Sequence, residues 1–230
     1  MAIAEPAEVP APALPKPQLR GMFHLIAFPI SIVTGAILVF GVADNTRDRI
    51  GCAIYALACM ELFGVSALYH RGNWGPEAHA RLRRLDHANI FVQIAGTYTP
   101  LCLALLDGTT RVVVLAVVWV GALAGIVFRC AWMSAPAWVY TPFYMALGWV
   151  AVAVLPALWR EGGAAVGLLV IAGGLAYTFG AVTYARRRPD PVPHVFGYHE
   201  VFHLFVIGGS AAFTITIWVF VMPFTRIVAG

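Results

Sequence analysis

Charge is what this sequence has least of. Asp, Glu, Lys and Arg together make up only 11% of its 230 residues, against about a quarter in ordinary soluble domains. Hydrophobic residues reach 60%, and the mean hydropathy is +0.80. That balance excludes a soluble globular fold and makes lipid the solvent for most of the chain. A net charge of +4 with a pI near 9.0 would ordinarily raise nucleic acid as a partner. Here the arginines sit in short loops between apolar runs, not along a stripe or patch, so a nucleic-acid surface is excluded and they read as topology signals.

Cysteine is scarce as well. Cys52, Cys59, Cys102 and Cys130 fall within or at the ends of apolar segments and form no CxxC pair, which predicts small buried thiols and argues against disulfides or ligands. The first twenty residues, MAIAEPAEVPAPALPKPQLR, lack the basic start and apolar core of a secretory signal peptide. Their prolines and glutamates predict a disordered Pro/Ala-rich tail over 1–20. No internal repeat is evident, and no extramembrane stretch is long enough for a second domain, leaving one membrane domain over 21–230.

A helix needs about 20 apolar residues to cross a hydrocarbon core of about 30 Å. Such runs lie near 22–43, 50–70, 87–106, 112–131, 138–159, 163–185 and 198–222. The expected fold is therefore all-α, a seven-transmembrane helix bundle. With seven spans, one side receives Lys16, Arg20, Arg71, Arg81, Arg83, Arg84, Arg129, Arg186, Arg187 and Arg188. The other receives only Arg47, Arg49, Arg111, Arg160 and Arg226. The richer side is cytoplasmic by the positive-inside rule, so the N-terminus is predicted inside, the C-terminus outside, and the protein multi-pass in the cell (inner) membrane. Gly121 and Gly125 form a GxxxG in the fourth span, which reads first as close packing inside the bundle and second as a dimer face.

Ionisable residues at membrane depth are costly, so each raises a functional question. The second span ends in Ser66-Ala67-Leu68-Tyr69-His70, placing Ser66 and His70 one turn apart on one face. The third opens with Arg84-Leu85-Asp86-His87, and the seventh with His199-Glu200-Val201-Phe202-His203. Three helices thus deliver polar groups to one membrane level, which hydrophobic periodicity does not require. A metal explains the coincidence. Zinc favours neutral imidazole, and a catalytic site commonly has three protein ligands and one open position, so His70, His199 and His203 are the predicted ligands. Asp86 is the candidate general base for a water activated by the metal, and Ser66 the candidate donor to a polarised carbonyl or developing oxyanion.

Blander readings stand beside these. Asp86 alone is a candidate helix N-cap, and Ser66 alone is ordinary helix packing. His24, His79, His87 and His194 read as wetted interfacial residues. Asp86, Asn89, Gln93 and Thr97 share a face of the third span, as do His199, His203, Ser210 and Thr214 of the seventh. These stripes either line a cavity for a lipid with a polar head and apolar chain, or hydrogen-bond helix to helix. Glu61 sits mid-span on roughly the opposite face from His70, with Arg129 as a candidate partner. HEVFH also matches HExxH, which would make Glu200 the base of an intramembrane protease. Haem is disfavoured, because two histidines one turn apart on a helix cannot reach opposite faces of a porphyrin.

The motifs SALYH, RLDHANIFVQIAGTYTP and HEVFHLFV, in this order, resemble the hemolysin III family of bacterial membrane proteins, grouped with the progestin and adipoQ receptors and more distantly with the alkaline ceramidases. The resemblance covers nearly all the chain after the tail. It implies seven helices with zinc near the cytoplasmic side, held by His70, His199 and His203, with Asp86 and Ser66 nearby. It further implies a ceramidase-like hydrolysis of a lipid amide or ester, with a membrane lipid as substrate or ligand. Two alternatives remain, a receptor in which zinc is structural, and a pore-forming cytolytic protein.

Overall fold

The computed structural model describes residues 16–222. Among them the secondary structure is helical throughout, apart from one isolated bridge between Val192 and Phe196. Helix α1 spans Met22–Ala36 and runs on through a π-helical turn, Ile37–Val42; α2 is Thr46–Arg71, α3 Pro76–Leu105 and α4 Gly108–Ala131. Then come α5, Ala137–Gly148, α6, Ala151–Arg186, and α7, Tyr198–Ile215, which ends in a second π-helical turn, Thr216–Val221.

The helix starts follow local chemistry. The Asn45 side chain caps α2 by accepting from the Asp48 amide at 2.9 Å. Pro76 stands in the first turn of α3, where its missing N–H costs nothing. That start is eleven residues earlier than the hydropathy edge near 87. Apolar runs mark only the lipid-soaked part of a helix, and the extra turns carry Glu77, His79 and Arg81, with Arg81 paired to Glu77 one turn before it at 3.7 Å. Asp86 therefore lies well inside α3 and is not its cap.

Six helical segments among the described residues are long and apolar enough to cross a membrane. The fifth, Ala137–Arg186, is 50 residues long, roughly 75 Å if straight, and it is not straight. Gly163 takes φ 81 and ψ 175, outside any helix. The chain doubles back there. Trp159 packs on Gly167, and the Trp149 indole donates to Thr178 Oγ1 at 3.1 Å, whereas residues that far apart on one straight helix would be about 43 Å distant.

Helix α3 is the hub, packed against α2 and α4 and touching α5 and α6. Small residues set the close approaches. Gly96 admits Ala58 of α2; Gly121 and Gly125 of α4 receive the side chains of Leu147 and Phe91. The GxxxG face thus packs inside the bundle. The outer face of α4, with Val112, Val120, Leu123 and Val127 exposed, is apolar surface suited to lipid. The predicted tail over 1–20 falls largely outside the described residues. Its last residues are structured, since the Gln18 and Leu19 amides donate to the His194 and Val195 carbonyls at 3.0 and 3.1 Å.

Candidate metal centre

Two helix ends meet at the centre. His70 comes from the last turn of α2, and His199 and His203, on adjacent turns of one face, from the first turns of α7. His70 Nε2 and His199 Nε2 are 3.1 Å apart, and one ring nitrogen from each of His70, His199 and His203 lies within 4.8 Å of the other two. Tetrahedral zinc with bonds of about 2.0–2.1 Å spreads its ligand atoms by about 3.4 Å, so the set fits with small ring rotations. Two observations support the fit. The His203 ring is 1% exposed, which keeps bulk water from competing for it, and two imidazole nitrogens in contact with a third close by need a shared proton or a cation between them.

Local structure explains the convergence. Gly21 has a left-handed φ of 76, which a side chain would strain, and a Cβ there would sit 2.6 Å from His70 Cβ. That glycine lets α1 begin directly against the Cβ of His70. The start of α7 is fixed from both sides. The Glu200 carboxylate accepts the Gly197 amide through Oε2 at 2.8 Å and the Arg20 Nε through Oε1 at 2.6 Å, while Asp190 accepts the Tyr198 amide at 2.8 Å.

Asp86 Oδ2 lies 3.9 Å from His70 Nε2, and the Ser66 side chain faces the same carboxylate. All five residues singled out from the sequence line one cavity of about 510 Å³. It continues past the centre between α3, α5 and α6, along Ile90, Ile94, Leu155 and Val170. Tyr140, Tyr144, Tyr177 and Tyr184 also line it, and the Tyr184 ring is 5.5 Å from that of His199. These tyrosines carry no sequence motif. Only the pairing of α5 and α6 against α3 and α7 aims them inward.

The polar stripes divide. Gln93 and Thr97 line the cavity, yet Gln93 Nε2 also reaches Cys59, Thr97 and Tyr177 at 3.4 Å. Ser210 pairs with the Tyr177 hydroxyl at 2.9 Å, and Thr214 with that of Tyr55 at 2.8 Å. Asn89 donates to the Glu61 carbonyl at 3.1 Å. Glu61 itself is exposed on the outer surface of α2. Arg129 is not its partner; it is buried at 1% exposure, with its guanidinium 4.2 Å from the Tyr140 ring centre and Nη1 donating to the Trp132 carbonyl.

Two histidines expected at a wet interface are buried. His87 faces the cavity with its ring 5.9 Å from that of Tyr140. His24 is 2% exposed and stacks flat on His203, centroids 3.7 Å apart and planes within 9°. A signal for it existed, because His24, Ala27, Ser31 and Gly35 form the buried stripe of α1 at helical spacing. Of the cysteines, Cys52, Cys59 and Cys102 are buried free thiols as expected, and Cys130 is exposed.

Residues 13–214 match the family described as Haemolysin-III related. The chain belongs to the hemolysin III family. It is 33% identical over 192 residues to the Hemolysin-3 homolog of Bacillus subtilis (strain 168), covering 82% of this chain and 86% of that protein. To the Hemolysin-3 of Bacillus cereus it is 29% identical over 205 residues, covering 89% of each. A more distant likeness, 23% over 194 residues, reaches the human Monocyte to macrophage differentiation factor, with 82% of this chain and 78% of that protein covered. Together with the apolar helices, this membership identifies a multi-pass membrane protein.

Proposed function

We propose that this hemolysin III protein is a zinc-dependent hydrolase of an amide or ester bond in a membrane lipid. The observation that carries the reading is the convergence of His70, His199 and His203, with Asp86 3.9 Å from the first, on a large cavity inside the bundle. Zinc held by the three imidazoles supplies Lewis acidity, polarising a carbonyl and making water a stronger acid. The chain's own groups do the rest. The Asp86 carboxylate takes a proton from the attacking water and returns it to the leaving amine or alkoxide. Ser66, one turn before His70, donates to the carbonyl oxygen as negative charge grows on it. The apolar wall beyond them holds an acyl chain and keeps bulk water out.

In the same reading Ala137–Arg186 crosses twice, reversing at Gly163, which makes seven crossings with the N-terminus cytoplasmic. The basic loops support that orientation, and it puts the centre near the inner leaflet. Glu200 is a poor candidate for the base of an HExxH protease, since both its oxygens are engaged elsewhere. A sensor with structural zinc shares the geometry and differs in outcome.

The deciding experiment combines metal analysis with a lipidomic comparison of cells bearing wild type or Asp86→Ala. The hydrolase reading expects about one zinc per chain in both proteins, and a lipid that accumulates only in the variant. Zinc lost from the histidine variants, with no lipid turned over by wild type, would leave a structural site only.

A further inference from the structure

Metal-bound histidines are normally oriented by a hydrogen bond from the second ring nitrogen to a carboxylate, carbonyl or water. His203 departs from that pattern. Its Nδ1 is buried and has no partner among the described residues, and what covers the ring is the flat face of His24, 3.7 Å away and nearly parallel. His24 comes from α1 and is wedged from behind by Phe63 of α2, whose ring meets it edge-on at 5.1 Å. Both nitrogens of His24 are buried without a partner among the described residues. Its polar atoms therefore neither place it nor act on a neighbour; its face does.

Resting on the zinc reading above, we propose that His24 is a positioning residue of the metal centre, fixing the His203 ring by stacking in place of the usual hydrogen bond. The chemistry is favourable. A cation held by His203 would draw electron density from that ring, and a neutral aromatic face is attracted to an electron-poor one in the manner of a cation over a π-system. The sandwich of Phe63, His24 and His203 also ties α1 to the centre, although α1 contributes no ligand. Loss of the planar ring at position 24 should therefore loosen the metal, while loss of its nitrogens alone should not.

The test uses the full chain in detergent, loaded with Zn²⁺ against a chromophoric chelator and separately with Co²⁺, whose visible spectrum reports ligand geometry. The variants are His24→Phe, which keeps a flat ring, and His24→Leu and His24→Ala, which do not. Wild type and His24→Phe are expected to agree within about threefold in zinc affinity, with the leucine and alanine variants about 10–100-fold weaker, the usual cost of an outer-shell loss. The cobalt spectrum should be preserved in the phenylalanine variant and altered in the other two. Should the alanine variant fail to fold, the Phe–Leu comparison still decides, since both fill the pocket. A phenylalanine variant as weak as leucine, or three variants all equal to wild type, overturns the proposal. Wild type binding neither metal would remove the centre itself, a failure visible before any variant is made.

Discussion

Replacing Glu200 by Gln separates two enzymes that would share the histidine pair of α7. In a protease built on HExxH, Glu200 is the base and its amide should be inactive. In a lipid hydrolase using Asp86, it should not be. Glu200 is fully buried and absent from the cavity wall, with Arg20 on Oε1 and the Gly197 amide on Oε2. Glutamine keeps one acceptor and loses the charge, so either the helix start or the arginine loses its partner. Breaking a fully buried pair costs about 3–5 kcal/mol, and an exposed one about 0–1 kcal/mol. The Arg20 side chain is 18% exposed and can regain water, so we expect about 1–3 kcal/mol of lost stability, between those limits. Because α7 carries two of the three histidines, turnover should fall, but by less than about tenfold, whereas Asp86→Asn should lose the about 10²–10⁴-fold that a general base contributes. The assay is turnover of the lipid that accumulates in Asp86→Ala cells, with zinc measured on each variant. Glu200→Gln inactive with its zinc in place, beside an active Asp86→Asn, would refute the assignment.

Stripping the metal should lower thermal stability measured by size-exclusion chromatography after heating, because the centre joins the ends of α2 and α7. Zinc restored at a hundred times its dissociation constant should return about 2.7 kcal/mol, and a melt indifferent to chelator and zinc would argue against a resident ion. Crossing number can be read with cysteines introduced one at a time in a Cys130→Ser background, in which the remaining thiols, Cys52, Cys59 and Cys102, are buried. A cysteine at Glu161 should react with an impermeant maleimide on intact cells, and one at Arg187 only after permeabilisation; equal labelling would break the seven-crossing reading. Gly125→Ala places a methyl group on the buried Phe91 ring and should destabilise by about 1–3 kcal/mol, the usual cost of overpacking, in the same heating assay. An unchanged oligomeric state would accompany it if this face packs within the bundle.

How much of this was legible depended on whether the information was local. Ser66 with His70, and His199 with His203, are each read from a single helix, and the span ends fix their depth, so the cluster followed from spacing alone. Asp86 reads from the sequence as the candidate base, and its blander reading as a cap falls because hydropathy says nothing about polar turns that continue a helix outside the lipid. His24 was legible as a buried position from the stripe Ala27, Ser31 and Gly35. Its meeting with His203 was not, since that requires knowing that α1 lands between α2 and α7. The stripes on α3 and α7 allowed two readings because each partner is elsewhere; Tyr55 and Tyr177, from α2 and α6, decide in favour of helix-to-helix bonding at the level of Ser210 and Thr214. The break at Gly163 adjoins Arg160-Glu161-Gly162, the polar residues that part the apolar runs 138–159 and 163–185, and the positive φ of Gly163 marks the reversal.

The same polar network bears on the cytolytic alternative. A pore needs a wall that stays wet from end to end. Here most of the groups that would wet the middle of the bundle bond one another, Gln93 Oε1 being the exception. Tyr55 donates to the Ser210 carbonyl at 2.8 Å, Tyr177 holds the Ser210 hydroxyl, and Gln93 reaches Tyr177 and Thr97. Beyond them, toward the start of α2, the interior is filled by Leu38, Cys52, Ile217, Val221 and Met222, all 1% exposed or less. Cys52 is eighteen residues before His70, about 27 Å along the helix, so this apolar layer closes the end opposite the histidines. Water and ions entering at the histidine end therefore meet a dry plug, not a conduit. A cavity polar and basic at one end, mostly apolar along its length and closed beyond suits a molecule with a head, a chain and a bond between them. Conductance of purified protein in liposomes that survives loss of all three histidines is the result that would overturn this argument.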